Sequence, residues 1–154
     1  MENSYARGNV EGNSSVGGLL GHHTSHHEEG IIQSYSTGRI SGNELAGGFI
    51  SKNASGVSAG YWDTESSQQT DGLGSGSTDG IIGLTTDEMT GEDAADHMME
   101  FDFKGIWRTT ASYPVLIWQE EGPGPGPGDQ QQQFSRVVLP IIPGHLTLYL
   151  PKAG

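Results

Sequence analysis

The sequence predicts an all-β protein, with parallel β-solenoid (β-helix) coils followed by a small mixed C-terminal cap and an irregular apolar tail. Three observations predict it. First, the stretch "SYSTGRISGNELAGGFIS" from Ser34 to Ser51 repeats "SYARGNVEGNSSVGGLLG" from Ser4 to Gly21. Tyr5 answers Tyr35, Gly8 answers Gly38, Val10 answers Ile40 and Gly17-Gly18 answers Gly47-Gly48, each thirty positions on. A period of about 20–50 residues marks solenoids, propellers and arrays. Second, β-branched and aromatic residues (Val10, Val16, Ile31, Ile32, Tyr35, Ile40, Phe49, Ile50) stand in short runs bounded by Gly, Asn and Ser. That is the pattern of short strands joined by turns, and no 3.6-residue apolar period competes with it. Third, only 32% of the 154 residues are hydrophobic and 25 are glycine, about twice the usual glycine share of roughly 7%. Such a chain has little side-chain area to bury and is expected to fold by stacking backbone on backbone.

Each copy supplies short strands at three corners, and pairing of each strand with its counterpart in the next copy makes one coil. Glycine is expected at the corners, where φ can be positive. A third copy begins: "GIIQSY" from Gly30 to Tyr35 returns as "GVSAGY" from Gly56 to Tyr61, now twenty-six positions on. The shortening sits in one loop, which reads "HHTSHHEE" between Gly21 and Gly30 but only "KNAS" between Ser51 and Gly56. The frame is fixed and this loop varies. Residues 1–69 thus hold about two and a half coils. The start "MENSYARG" opens inside a repeat and carries no signal peptide, so an array is expected to continue upstream of Met1.

The frame "NSYARGNVEGNSSVGGLLG", with Gly18-Leu19-Leu20-Gly21 at its centre and Gly48-Phe49-Ile50-Ser51 in the second copy, resembles the GLUG-motif repeats of secreted and surface proteins. The likeness continues through "GYWDTESSQ" (60–68), "GLTTDEMTG" (83–91), "FDF" (101–103) and "WRTTASYPVLIWQ" (107–119), which look like the segment that closes such arrays. The resemblance implies a β-helical, adhesin-like protein of the cell surface or extracellular space, and it brings no catalytic residues with it.

Residues 70–121 are read as the closing segment. "TDGLGSGSTDG" from Thr70 to Gly80 is polar enough to be expected as a loop. "LTTDEM" holds a capping box, Thr85 with Glu88, and predicts a short helical turn that Gly91 ends. "EDAADHMMEF" predicts a second turn, with acids at its start where the helix dipole favours them. "YPVLIW" from Tyr113 to Trp118 reads as a buried strand. Phe101, Phe103, Trp107, Leu116 and Trp118 are expected to cover the open end of the last coil. Residues 122–133, "GPGPGPGDQQQQ", form a low-complexity linker. The apolar tail, 134–154, alternates at Leu146, Leu148 and Leu150 as a strand would, and Pro140 and Pro143 confine pairing to "HLTLYL". It is expected to pair with an open edge, in this chain or in a neighbour.

A net charge of −12, with seven scattered Lys and Arg, argues against nucleic acid or an anionic membrane surface as partner, because phosphate contacts need clustered cations. No apolar run reaches the roughly 20 residues of a membrane span. The absence of cysteine removes disulfides and thiolate metal sites. The candidate metal ligands are His22, His23, His26 and His27, whose imidazoles suit Zn²⁺, Ni²⁺ or Cu²⁺, with Glu28 or Glu29 adding oxygen. Because they occupy the variable loop of one copy, a solvated loop without a structural metal is the expected outcome. The acids from Asp63 to Asp96 match no calcium-loop spacing and read as a solvated face. "NSS" at Asn13 and "NAS" at Asn53 are glycosylation acceptor patterns. No nucleophile elbow, phosphate loop or zinc-protease helix is present, and no cofactor is expected.

The reading that follows is a non-catalytic structural or adhesin-like fragment of a secreted or cell-surface β-solenoid protein, its surface or matrix ligand unspecified. Two alternatives stand beside it. One is a self-assembling extracellular fibre subunit whose tail strand completes a neighbour. The other is the accessory repeat region of a larger secreted enzyme.

Overall fold

The computed structural model describes residues 1–24, 30–53 and 56–119. The chain there is mostly strand, with few helical turns. The first copy supplies β1 (Tyr5–Ala6), β2 (Val10–Gly17) and β3 (Leu20–His23). The second supplies β4 (Ile31–Ser36), β5 (Ile40–Gly47) and β6 (Ile50–Asn53). Every strand of the first copy pairs in parallel with its counterpart in the second, and the residue partners are those of the sequence repeat. Tyr5 lies beside Tyr35, Val10 beside Ile40, Gly17 beside Gly47 and Leu20 beside Ile50.

The stack continues further than the sequence period. β7 (Val57–Asp63) joins β4 in register, Tyr61 beside Tyr35. A one-turn helix, α1 (Thr64–Ser67), then stands where a counterpart of β5 would begin. Next comes β8 (Leu73–Gly76), parallel to β6, with Leu73 beside Ile50, and β9 (Ile81–Leu84), parallel to β7. The three sheets are therefore β1-β4-β7-β9, β2-β5 and β3-β6-β8. Part of Thr70–Gly80, expected as a loop, is thus a strand. Its composition is poor in strand formers, but the backbone of Asp71 and Gly72 accepts bonds from Gly48, Phe49 and Ile50, and Leu73 enters the core. Pairing with an existing edge outweighs the weak local preference.

Two apolar clusters lie on the two faces of the four-stranded sheet. Ile31, Phe49, Ile50, Val57, Trp62 and Leu73 form one cluster, with Leu19, Leu20 and Ile81 packed against it. Tyr35, Ala59, Tyr61, Met89, Met98, Phe101, Trp107 and Leu116 form the second cluster. Ile31 and Tyr35 are four residues apart, so an even strand would put both on one face. Gln33, between them, takes φ 44°, as Ala59 does at 58° and Asn3 at 48° in the equivalent positions. This left-handed residue resets the alternation in each copy. Ser15 and Leu45 repeat the device in β2 and β5, with φ of 56° and 51°.

The expectation of positive φ at corner glycines holds at Gly56, Gly76 and Gly80 but does not explain the repeated pair at the centre of each frame. Gly17 and Gly47 are required by close approach. A Cβ on Gly17 would stand 2.0 Å from the carbonyl oxygen of Leu20, and one on Gly47 would stand 2.1 Å from that of Ile50. The chain turns so tightly there that only hydrogen fits.

In the closing segment the capping box forms. Thr85 N–H donates to Glu88 Oε2 (2.8 Å) and Glu88 N–H donates to Thr85 Oγ1 (3.3 Å), ahead of a 3₁₀ turn at Asp87–Met89. The second turn is α2 (Asp93–His97). The strand expected over Tyr113–Trp118 is shorter: β10 (Trp107–Arg108) pairs antiparallel with β11 (Val115–Leu116), and Trp118 is 75% exposed. The aromatic residues do not close the end of the last copy either. Phe101, Phe103, Trp107 and Leu116 pack on the tyrosine-bearing face of the four-stranded sheet, where the Phe101 and Trp107 rings meet those of Tyr35 and Tyr61. The linker and tail lie outside the described residues.

Candidate functional site

His22 and His23 are the last two residues of β3. Neighbouring strand positions face opposite sides, so the two imidazoles diverge. His22 is exposed, beside Lys52 of β6. His23 Nδ1 lies 2.9 Å from Asn53 Oδ1, and Asn53 Nδ2 donates to the carbonyl of Ser77 at 2.9 Å. That imidazole belongs to a polar ladder running through the third sheet. His26 and His27, with Glu28 and Glu29, lie outside the described residues. Among the described residues no three His, Asp or Glu side chains gather as metal ligands would.

The densest functional geometry lies elsewhere, where the closing segment meets the tyrosine face. Register places Tyr5 and Tyr35 with ring centroids 5.1 Å apart and planes 6° from parallel. Arg7 lies over this pair, its guanidinium carbon 4.8 Å from the Tyr5 ring centre and 5.5 Å from that of Tyr113. Arg7 donates to Tyr35 Oη (2.8 Å) and to the carbonyls of Tyr113 (2.8 Å) and Pro114 (2.7 Å). Tyr35 Oη donates to the Pro114 carbonyl at 2.6 Å. Burial raises the Tyr35 hydroxyl well above the usual phenol range, although the Arg7 charge works against the shift. Tyr61 donates to Glu100 Oε2 at 2.5 Å. Its hydroxyl too is raised, first by burial and then by that bond. Tyr5 donates to Gln119 Oε1 at 2.8 Å, which ties the end of the closing segment to β1.

Asp63 ends β7 and is fully buried. Its Oδ1 accepts from the backbone N–H groups of Glu65 (2.8 Å) and Ser66 (2.9 Å), which caps α1. Its Oδ2 accepts from Thr86 Oγ1 (2.8 Å) and Tyr113 Oη (2.5 Å). The Tyr113 hydroxyl is raised by burial first and by this carboxylate second. One carboxylate thus joins the first strand of the third copy to two parts of the closing segment. By sequence alone Asp63 reads as one of the solvated acids. The available signal was an Asp directly before "TESS", the pattern of a helix cap.

Chemically these groups hold structure together. The tyrosine hydroxyls are committed donors, and Asp63 has no solvent-facing surface from which to meet a substrate. Thr85, Glu88 and His97 form a chain, with Thr85 Oγ1 2.9 Å from Glu88 Oε2 and His97 Nε2 3.7 Å from Glu88 Oε1. The carboxylate is in the middle of it, whereas a nucleophilic triad needs the imidazole there. Hydrogen bonds from the Thr85 backbone and hydroxyl hold the Glu88 carboxyl below its usual range.

No family model matches the chain, and no solved structure matches it. Among curated proteins the chain is similar to Halomucin of Haloquadratum walsbyi, with 35% identity over 120 residues, which is 73% of this chain. The chain spans about 1% of the length of that relative.

Proposed function

We propose that the chain is a non-catalytic structural segment of a secreted or cell-surface β-solenoid protein, built of GLUG-type repeats and presenting its loops as an adhesin does. One observation carries the reading: the register, in which Tyr5, Tyr35 and Tyr61, and likewise Leu20, Ile50 and Leu73, stand beside one another in parallel strands of successive copies. Copies that bond mainly to their neighbours build length rather than a pocket. The likeness to Halomucin supports a place outside the cell, and no helix among the described residues is long and apolar enough to cross a membrane. The commitment of Asp63 and the tyrosine hydroxyls to internal bonds supports a role without catalysis.

Duplicating residues 31–56 in place, the span from Ile31 to the residue before its partner Val57, tests the solenoid. One more coil should lengthen the particle by about 4.8 Å, the spacing of paired strands, and raise its melting temperature with a single transition. A separately melting or unfolded insert would defeat it. Fractionation of the native cells tests the location, and a chain confined to the cytosol would overturn that part.

A second reading, the self-assembling fibre, draws on a specific observation. Among the described residues no strand pairs with the outer edges of β8 and β9, and an unpaired edge is a template for another chain. Light scattering against concentration tests it, using the full chain and a form ending at Glu121. Identical monomers for both over a wide range would remove the fibre reading.

A further inference from the structure

We infer that Asn13 is an N-glycosylation site of the exported protein and that Asn53, which carries the same acceptor pattern, is not. The inference rests on the extracellular reading above. The triplets Asn13-Ser14-Ser15 and Asn53-Ala54-Ser55 are equivalent as sequence, since each has the hydroxyl two residues after the asparagine. The fold separates them.

Asn53 is 5% exposed. It lies in β6, the middle strand of the third sheet, and both ends of its amide are in use, Oδ1 with His23 and Nδ2 with Ser77. A sugar on Nδ2 would take the place of the Ser77 bond and would have to fit inside the ladder. A chain modified there could not close this sheet.

Asn13 lies in β2, whose residues Glu11 to Ser14 are all exposed. Its Oδ1 accepts from Asn43 Nδ2 at 2.9 Å, and its own Nδ2 donates to no described residue. The ladder therefore uses the atom that glycosylation leaves unchanged. Transfer would form a bond from Nδ2 to the anomeric carbon of a lipid-linked oligosaccharide. The bond from that carbon to the lipid phosphate breaks, the phosphate keeps the electron pair, and one amide proton is released. The product is still an amide whose carbonyl can accept from Asn43, with the sugar projecting from the outer face of the β2-β5 sheet. Asn43 shares this face but is followed by Glu44 and Leu45, so it has no acceptor pattern.

The test is to secrete the full chain, behind an added export signal, from a host that N-glycosylates secreted proteins, with a known glycoprotein secreted alongside as control. Intact mass and peptide mapping should find a glycan on the Asn13 peptide. The added mass should vanish in Asn13→Gln and in Ser15→Ala and persist in Ser55→Ala, which removes the second pattern but keeps the Asn53 amide. Unmodified Asn13 beside a glycosylated control, or a glycan on Asn53 of the folded protein, would overturn the inference. Because the export signal is supplied, this result does not depend on where the native chain is found. A failure of the extracellular reading would instead show in the fractionation.

Discussion

Asp63 ties β7 to the closing segment through Thr86 and Tyr113. It satisfies two backbone donors and two hydroxyls from inside the protein. Asp63→Ala leaves all four without an acceptor, and each buried donor left unmet costs roughly 1–3 kcal/mol. We expect a loss of about 3 kcal/mol or more in urea unfolding. Asp63→Asn should cost much less, because its carbonyl still caps α1. Equal losses would mean that the charge, not the bonding geometry, matters. The tyrosines set a second expectation. Tyr35, Tyr61 and Tyr113 keep their protons in the folded state beyond the ordinary phenol value of 10.0. The unfolded chain releases them at that ordinary value, so it binds fewer protons above it. The resulting stability is complete below about pH 10 and is lost as pH rises further. Unfolding free energy should be level from about pH 8 and fall beyond about pH 10, and Tyr61→Phe should make that fall shallower. An unchanged slope in the variant would refute the assignment.

The strands show how position in the stack changes the meaning of a repeated residue. Gly8 and Gly38 occupy the same place in successive copies. A Cβ on Gly38 would stand 1.8 Å from the carbonyl oxygen of Gly8, whereas one on Gly8 meets nothing within 4 Å. Gly38→Ala should therefore cost at least the roughly 1–3 kcal/mol of an overpacked core, and Gly8→Ala should stay within about 0.5 kcal/mol. Thermal melts of the two variants compare them directly, and equal destabilisation would show that the glycines are kept for backbone conformation instead. The element boundaries were only partly legible. The paired strands of the first two copies follow from the thirty-residue offset. β8 does not, because "LGSG" lacks strand formers and its pairing comes from the waiting edge of β6.

At the scale of the whole molecule, charge and aromatic packing dominate. The chain carries 19 acidic residues against seven Lys and Arg, and among the described residues the one ion-pair contact is His97 with Glu88. Most acids thus repel one another without compensation. Salt shortens the reach of that repulsion from about 10 Å at 0.1 M to about 3 Å at 1 M. The melting temperature should rise between those concentrations, and a fall would mean that attractive pairs outweigh the repulsion. Against the repulsion stands the aromatic cluster, where Trp107 lies 4.6 Å from Phe101 and 5.7 Å from Tyr35. It holds the closing segment along the stack rather than across its end.

The sequence by itself determined the repeat, its parallel register and the capping box of Thr85 with Glu88. Each depends on local identity or on a spacing that can be counted along the chain. Only the tertiary structure decided which face each residue takes, because a single left-handed residue at Gln33 or Ala59 inverts an alternation that the letters do not mark. It also decided the burial of Asp63, the separation of Asn53 from Asn13 and the seat of the aromatic cluster. These depend on which surfaces meet when distant segments pack, and a surface exists only after the strands beneath it have stacked.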